Sequence, residues 1–508
     1  MDFIFYLTLF LFILLFGTLD INIDYDFWAR LIVGKSFFQT GTLFNQDFYS
    51  YGTTHNFIDH EWGSSLVFYF LQSNFGDIGL YLFKTLIIFF TLFLIIKTIK
   101  LDNKDIKLHF LFFFFAIQSI SYTLFSTVRC QSFSFFFFAL YLYLLKRIKL
   151  EKEYRLFWCF PILNIVWANL HGGFVLGLAL IAIFALGEFL NDRKSKVYLY
   201  YFCAFIVTFL TTLINPYGIE YITFIIDAFK LNRIHIIEWQ SAFFNKLFIY
   251  SLLKFKLFFF PTIGLFIYTI IKNIKNTSFK IFYKNIDKTK YILLLFVSII
   301  ALKALRCHVF FTLSVLALCY KDFYDIFNKK IPIKIDKIKE MILLFLILIS
   351  TISHIIEYKF TNITKDTQYP IYAIEFIRIN NLKGNVFVNF HNGSYAAYKL
   401  YPNNYVFMDG RYEEVYDNNL INKMGKAFRA INYKEFLKEF HQDILIVEKY
   451  YPLAEELKKD KDWFLAFEDE NYSLFLTKKY KKHNFKHPSK EKNYYNKTKF
   501  NTSINWIM

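Results

Sequence analysis

The sequence predicts an α-helical polytopic membrane protein of about eleven transmembrane helices, closed by a small C-terminal extracytoplasmic α/β domain. The first observation behind this is composition: of 508 residues, 56% are hydrophobic and 22% aromatic, more apolar surface than a chain in water can hide. The second is that apolar runs fit to cross hydrocarbon, roughly 30 Å thick, recur as far as residue 357. The third is a change of pattern after residue 358, where alternating stretches such as Val386-Phe387-Val388 and Ile444-Leu445-Ile446-Val447 join amphipathic ones such as 433–440.

The runs fall near residues 3–19, 79–98, 106–124, 131–147, 157–171, 174–190, 197–214, 248–271, 290–305, 307–321 and 340–357. The first lacks a basic leading segment and a small-residue cleavage site, so it reads as a retained helix or signal anchor. Residues 1–357 thus form a transmembrane domain interrupted by a long external loop at 20–63. Residues 358–480 form the α/β domain, and the Lys- and Asn-rich tail 481–508 reads as disordered.

Orientation follows from charge. Lys97 to Lys107, Lys146 to Arg155, Arg193 to Lys196, 272–290 and 321–339 are basic connections. Counting spans puts all five on one side, the cytoplasm under the positive-inside rule. The N-terminus is then cytoplasmic and the α/β domain outside, in a bacterial plasma membrane. The net charge of +18 resides in these loops and the tail, which assigns it to topology and excludes nucleic acid as a partner. The five cysteines show no metal-like spacing and read as small buried hydrophobes.

That topology gathers the polar clusters on the external face. The first loop carries Asp24, Asp26, Trp28, His60 and Glu61. Asp24 and Asp26 precede a helical stretch whose Trp28, Leu31, Ile32 and Phe38 suit a membrane interface. Two carboxylates there suit a divalent cation such as Mg or Mn, or one serves as a general base. The bland alternative is a capping Asp and an aromatic anchor. Arg129 and Gln131, Asn169 and His171, and Arg306 mark further external junctions. Basic groups on this face run against the topological bias, which favours a phosphate ligand for Arg129 or Arg306. In the α/β domain, Asp409-Gly410 reads as a tight turn, and Arg411, if directed toward the membrane, suits a lipid phosphate or an acceptor.

The order Asp-x-Asp-x-Trp at 24–28, the glycines Gly34 and Gly41, His-Glu-Trp at 60–62, Arg-x-Gln at 129–131, Trp-Ala-Asn-Leu-His-Gly at 167–172, Asn-Pro-Tyr-Gly at 215–218 and Asp-Gly-Arg at 409–411 resembles a group of bacterial polytopic proteins that look like the GT-C superfamily of glycosyltransferases. The resemblance implies a membrane-embedded inverting transferase using a sugar on a polyprenyl phosphate in the lipid bilayer. It carries the essential acid of the first external loop onto Asp24 or Asp26, with Glu61 and His60 as a second acid or hydrogen-bonding group. The Trp-Trp-Asp signature of oligosaccharyltransferases is missing, which argues against transfer of whole oligosaccharides to Asn. The expectation is that acids and basic groups line one pocket at the outer rim of the bilayer. Two other classes compete: a transporter or flippase of lipid-linked glycan, which needs broken helices at mid-membrane, and a non-catalytic membrane assembly protein, which tolerates loss of the acids.

Overall fold

A computed structural model describes residues 2–19, 25–43, 46–53, 57–102, 104, 110–124, 128–230, 237–241, 249–330, 369–411 and 415–488. The protein is mostly helical with a mixed five-stranded α/β region toward the C-terminus. Among the described residues, three helices are long and apolar enough to cross a membrane: Trp62–Lys100, Gly172–Asn191 and Leu253–Asn276. The expected span at 340–357 lies outside the described residues.

The chain separates into two compact units, one of Met1–Asp20 with Tyr81–Lys359, the other of Ile21–Leu80 with Phe360–Met508. The division differs from the expected one: the loop at 20–63, assigned to the membrane domain by its position, is built into the C-terminal domain.

In the helical unit, the Gln131–Glu151 helix has 21 residues, a length of about 30 Å. Polar groups occupy its two ends. In its C-terminal turns Lys149 binds Glu188 at 2.8 Å and Asp287 at 2.5 Å and Lys146 binds Asp102 at 2.6 Å, and nearby Lys290 pairs with Asp322. These ion pairs bring together residues of four of the basic connections, those at 97–107, 146–155, 272–290 and 321–339. Gly177 lets the Val175–Asn191 helix approach closely, since a Cβ there would meet Trp167 at 2.6 Å and Tyr141 at 2.9 Å.

In the second unit, β1 (Gly384–Val388), β2 (Asn404–Val406), β3 (Ile444–Glu448), β4 (Trp463–Glu468) and β5 (Tyr472–Thr477) form one sheet in the order β2-β1-β3-β5-β4. The pairs β1/β2 and β1/β3 are parallel and the others antiparallel. Strand β3, parallel to β1 and antiparallel to β5, is buried throughout, in keeping with its unbroken Ile-Leu-Ile-Val run. The first loop extends the sheet beyond β2: the amides of Tyr51 and Gly52 donate to the carbonyls of Val406 and Phe407 at 3.0 and 2.9 Å, and the Val406 amide donates to Tyr49. Val33 and Phe57 accordingly join Phe387, Phe407, Leu445 and Phe475 in one hydrophobic core.

The Tyr25–Thr40 helix is therefore a core helix of this unit, which corrects the interfacial reading. Trp28 is only 4% exposed and Leu31 and Ile32 are fully buried, whereas Phe38 is 53% exposed. Trp28 packs edge-on to Tyr395 at 4.9 Å between ring centroids and beside Tyr369 and Tyr398. Gly34 permits the crossing with the Trp62–Lys100 helix, because a Cβ would lie 2.3 Å from the Ser65 carbonyl. The tail expected to be disordered from residue 481 is ordered at its start: Asn380 and Lys486 exchange two hydrogen bonds of 2.8 Å, and Phe485 packs on Phe376. Residues 489–508 lie outside the described part.

Candidate functional site

The acidic candidates belong to the second unit. Asp24 lies outside the described residues. Asp26 stands exposed in the first turn of the Tyr25–Thr40 helix, where a carboxylate is favoured by the helix dipole. Its Oδ1 abuts Gly410: a Cβ built on that glycine would sit 2.6 Å away. One turn further along the helix, on the same face, Arg30 is buried, pairs with Asp59 and lies 3.7 Å from Glu61. Glu61 also lies 3.8 Å from His60. The predicted Glu61 thus lies beside both Arg30 and His60, with Asp59 as the main counter-ion of Arg30.

Below Asp26 the Asp409-Gly410-Arg411 segment holds a buried ion cluster. Arg411 donates through Nε to Asp409 at 2.9 Å and through Nη2 to Asp47 at 2.6 Å. Its guanidinium lies 4.2 Å from the Tyr49 ring centroid. Tyr49 and Tyr416 each donate to Asp409 at 2.8 Å, and Ser394 does so at 3.2 Å. Burial alone would raise the Asp47 carboxyl, but the Arg411 charge and hydrogen bonds from Arg411, Ser50 and Thr53 outweigh it and hold the group below its ordinary range. Arg411 was expected to reach a lipid phosphate or an acceptor. With its side chain 2% exposed and two carboxylates claiming it, it serves instead to fasten the first loop to the sheet. Trp28, expected at substrate, is likewise committed to the core.

The basic candidates belong to the helical unit, at the N-terminal end of the Gln131–Glu151 helix. Arg129 pairs with Glu238. Arg306 stacks its guanidinium 4.6 Å from the Trp239 ring centroid, and Gln131 donates to the Arg306 carbonyl at 3.3 Å. The segment carrying Glu238 and Trp239 is fixed by the Leu305 amide, which donates to Gln240 at 3.1 Å. Burial opposes ionisation of Glu238, yet Arg129 and Arg306 together hold it below the usual carboxylate range. Two guanidiniums therefore share one carboxylate and leave a net positive charge.

His171 is held in one state. Its Nδ1 accepts from the Gly173 amide at 2.9 Å and lies 2.6 Å from Ser134 Oγ, which in turn accepts from Trp167 Nε1 at 2.8 Å. The accepting Nδ1 assigns the proton to Nε2. Gly173 is required there, because a Cβ would come within 2.2 Å of Ser134 Oγ. Asn169 has a bracing role, donating to the Ile165 and Ile214 carbonyls at 2.8 and 2.9 Å.

Sequence reasoning missed Glu448. It ends β3, beside the end of β1, where the chain leaves β1 in one direction and returns on its other side. Such a switch point is the usual ligand crevice of open parallel sheets. Asn389 and Asn392 donate to Glu448 Oε1, and Asn392 also donates to the Tyr472 hydroxyl at 3.1 Å. Burial, against these hydrogen bonds, raises the Glu448 carboxyl to about 7. Its unfolded counterpart ionises near 4.3, so the folded state holds the extra proton in between and stability falls as pH rises from about 4 to about 7. Glu448→Gln is expected to abolish that slope and to stabilise the domain at pH 8 by up to about 3 kcal/mol, read from denaturant unfolding at several pH values.

No protein-family model matches the chain, and no curated protein matches it. Among the described residues no group of three or more His, Cys, Asp or Glu side chains is placed to hold a metal ion; the Asp24 half of the proposed Mg or Mn pair lies outside them.

Proposed function

We propose that the chain is an integral membrane glycosyltransferase of the GT-C kind, moving a sugar from a polyprenyl-phosphate donor to an acceptor on the extracytoplasmic face. The observation that carries this reading is the Asp26 carboxylate, exposed at a helix start and backed by Gly410 on a buried ionic scaffold. An acid that only capped its helix would need no such backing.

In the reaction, Asp26 accepts the proton of an acceptor hydroxyl, whose oxygen forms the new bond to the anomeric carbon. The bond from that carbon to the phosphate oxygen breaks, and its electron pair leaves with the polyprenyl phosphate. Positive charge grows on the sugar and negative charge on the phosphate, so fixed cations lower the barrier. Within the helical unit, Arg129 and Arg306 hold charge to spare around Glu238, a feature suited to an anionic phosphate. Within the second unit Glu61 offers a further acid beside Arg30, and within the helical unit His171 offers an Nε2–H donor. The cytoplasmic assignment of the Lys149–Asp287 end rests on the positive-inside rule.

The reading is tested with purified protein in liposomes, given labelled sugar on polyprenyl phosphate and a hydroxyl acceptor. Donor-dependent glycoside formation is expected. Gly410→Ala, whose Cβ would displace Asp26, is expected to slow turnover about tenfold or more while leaving unfolding unchanged, since misplacing a catalytic group costs rate steeply. An unaltered rate in that variant would remove Gly410 as the support of the base, and no product from wild type would remove the reading.

A further inference from the structure

In the helical unit the turn Asn215-Pro216-Tyr217-Gly218 leads from the Val197–Thr211 helix into a second one, Ile219–Lys230. Asn215 fixes the turn, accepting from the Tyr217 amide at 2.7 Å and donating to the Thr212 carbonyl at 2.7 Å, and Gly218 closes it with a φ of +54°. The new helix is then pinned through Tyr221, whose hydroxyl donates to the Ala168 carbonyl at 2.6 Å and whose ring stacks 5.9 Å from that of Phe174. Tyr221 is its one buried residue.

At 3.6 residues per turn the side chains of this helix divide into three sectors. Tyr221, Phe224, Ile225 and Ala228 share the sector turned to the protein and are buried or half-buried. Glu220, Thr223, Asp227 and Lys230 form an exposed polar stripe, with Lys230 bonded to Asp227 at 2.8 Å. Ile219, Ile222, Ile226 and Phe229 form the third sector, and of these Ile219 is 65%, Ile226 51% and Phe229 68% exposed. A helix held along one edge, with an ionic stripe and a bare apolar stripe on the others, suits a boundary between water and hydrocarbon.

The apolar stripe continues across the turn. Leu210 and Ile214 before it are exposed, as are Tyr200 and Phe202 further back in the Val197–Thr211 helix. The four stripe side chains alone offer at most roughly 500 Å² of contact, short of the about 800 Å² that one partner brings to a stable protein interface. A belt running over two helices calls instead for an extended apolar solvent. We propose that Ile219–Lys230 lies in the plane of a membrane surface, its Ile219–Phe229 stripe sunk into the boundary between headgroups and acyl chains and its ionic stripe in water. With two carboxylates against one ammonium, the ionic stripe has no attraction to anionic lipid, so the partner is a zwitterionic bilayer. The in-plane helix expected at 27–38 is thereby assigned to 219–230. The proposal does not depend on glycosyl transfer.

The test is chemical footprinting of the wild-type chain in phosphatidylcholine vesicles, read by mass spectrometry. A photoactivated carbene carried on an acyl chain is expected to mark Ile226 and Phe229, as it marks the Val197–Thr211 helix, while a water-soluble carbodiimide with an amine marks Glu220 and Asp227. Ile226→Asp with Phe229→Asp is expected to lower the carbene mark on 219–230 about tenfold or more, with that on 197–211 unchanged. Ile226→Leu with Phe229→Leu is expected to retain it, which separates apolarity from folding. Carbene marks confined to 197–211 in the wild type, or cross-links between two copies through 219–230 in place of lipid marks, overturn the proposal. So does an unaltered mark on 219–230 in Ile226→Asp, Phe229→Asp.

Discussion

Arg411→Met is expected to destabilise the second unit by about 3–5 kcal/mol, the cost of stranding buried charge after one partner is removed. Asp47 and Asp409 both face the guanidinium and are almost wholly enclosed. Asp409 would keep donors from Tyr49, Tyr416 and Ser394, so the loss centres on Asp47 and the loop it holds. Hydrogen exchange gives a local reading: protection of the Tyr51 and Gly52 amides, bonded to Val406 and Phe407, is expected to fall about 10²–10³-fold. Replacing Asp47 and Asp409 by Asn in the same variant is expected to recover part of it, because a neutral trio leaves no orphaned charge. The wild-type cluster has an acid limit as well. The Asp47 carboxyl is depressed when folded, so its contribution is complete above the ordinary carboxylate value near 3.9 and disappears as pH falls through the lower folded value. Protection of these two amides is therefore expected to weaken below about pH 4. Full protection in Arg411→Met would show that the hydrophobic core alone seats the loop.

Asp26→Asn is expected to reduce turnover about 10²–10⁴-fold, the contribution of a general base. The amide is close in shape to the carboxylate, and Asp26 is exposed, so folding is expected to be unchanged and the donor KM nearly so. Arg129→Gln should differ in kind. It removes one of the two guanidiniums around Glu238 and, on the proposed reading, weakens phosphate binding by the helical unit, so the donor KM is expected to rise. A structural role for Asp26 would predict the reverse, parallel losses of stability and rate.

Much of the architecture is legible from local pattern. The apolar stretches at 386–388 and 444–447 are strands β1 and β3, and basic connections that stand out by charge meet in ion pairs through Lys149, Asp287 and Asp322. The union of the first loop with the C-terminal domain was not, because nothing near Asp47 signals a partner 364 residues away. Trp28 illustrates the same limit: an amphipathic helix with an aromatic face has the same pattern whether that face meets lipid or Tyr395. Arg411 was singled out for its charge, but its role depended on two carboxylates that only the fold brings to it. Glu448 was hidden among the hydrophobes of a strand, since burial is a property of packing. The glycines were more informative than they looked: Gly34, Gly173 and Gly410 each stand where a Cβ would strike a named neighbour.

The most direct measurement is single-turnover transfer from labelled sugar on polyprenyl phosphate, with enzyme in excess over donor, comparing wild type with Asp26→Asn. Glycoside appearing with wild type and about 10²-fold or more slower with the variant, donor binding being equal, is the result expected. Equal rates in the two proteins, or donor bound and released intact by both, would contradict it.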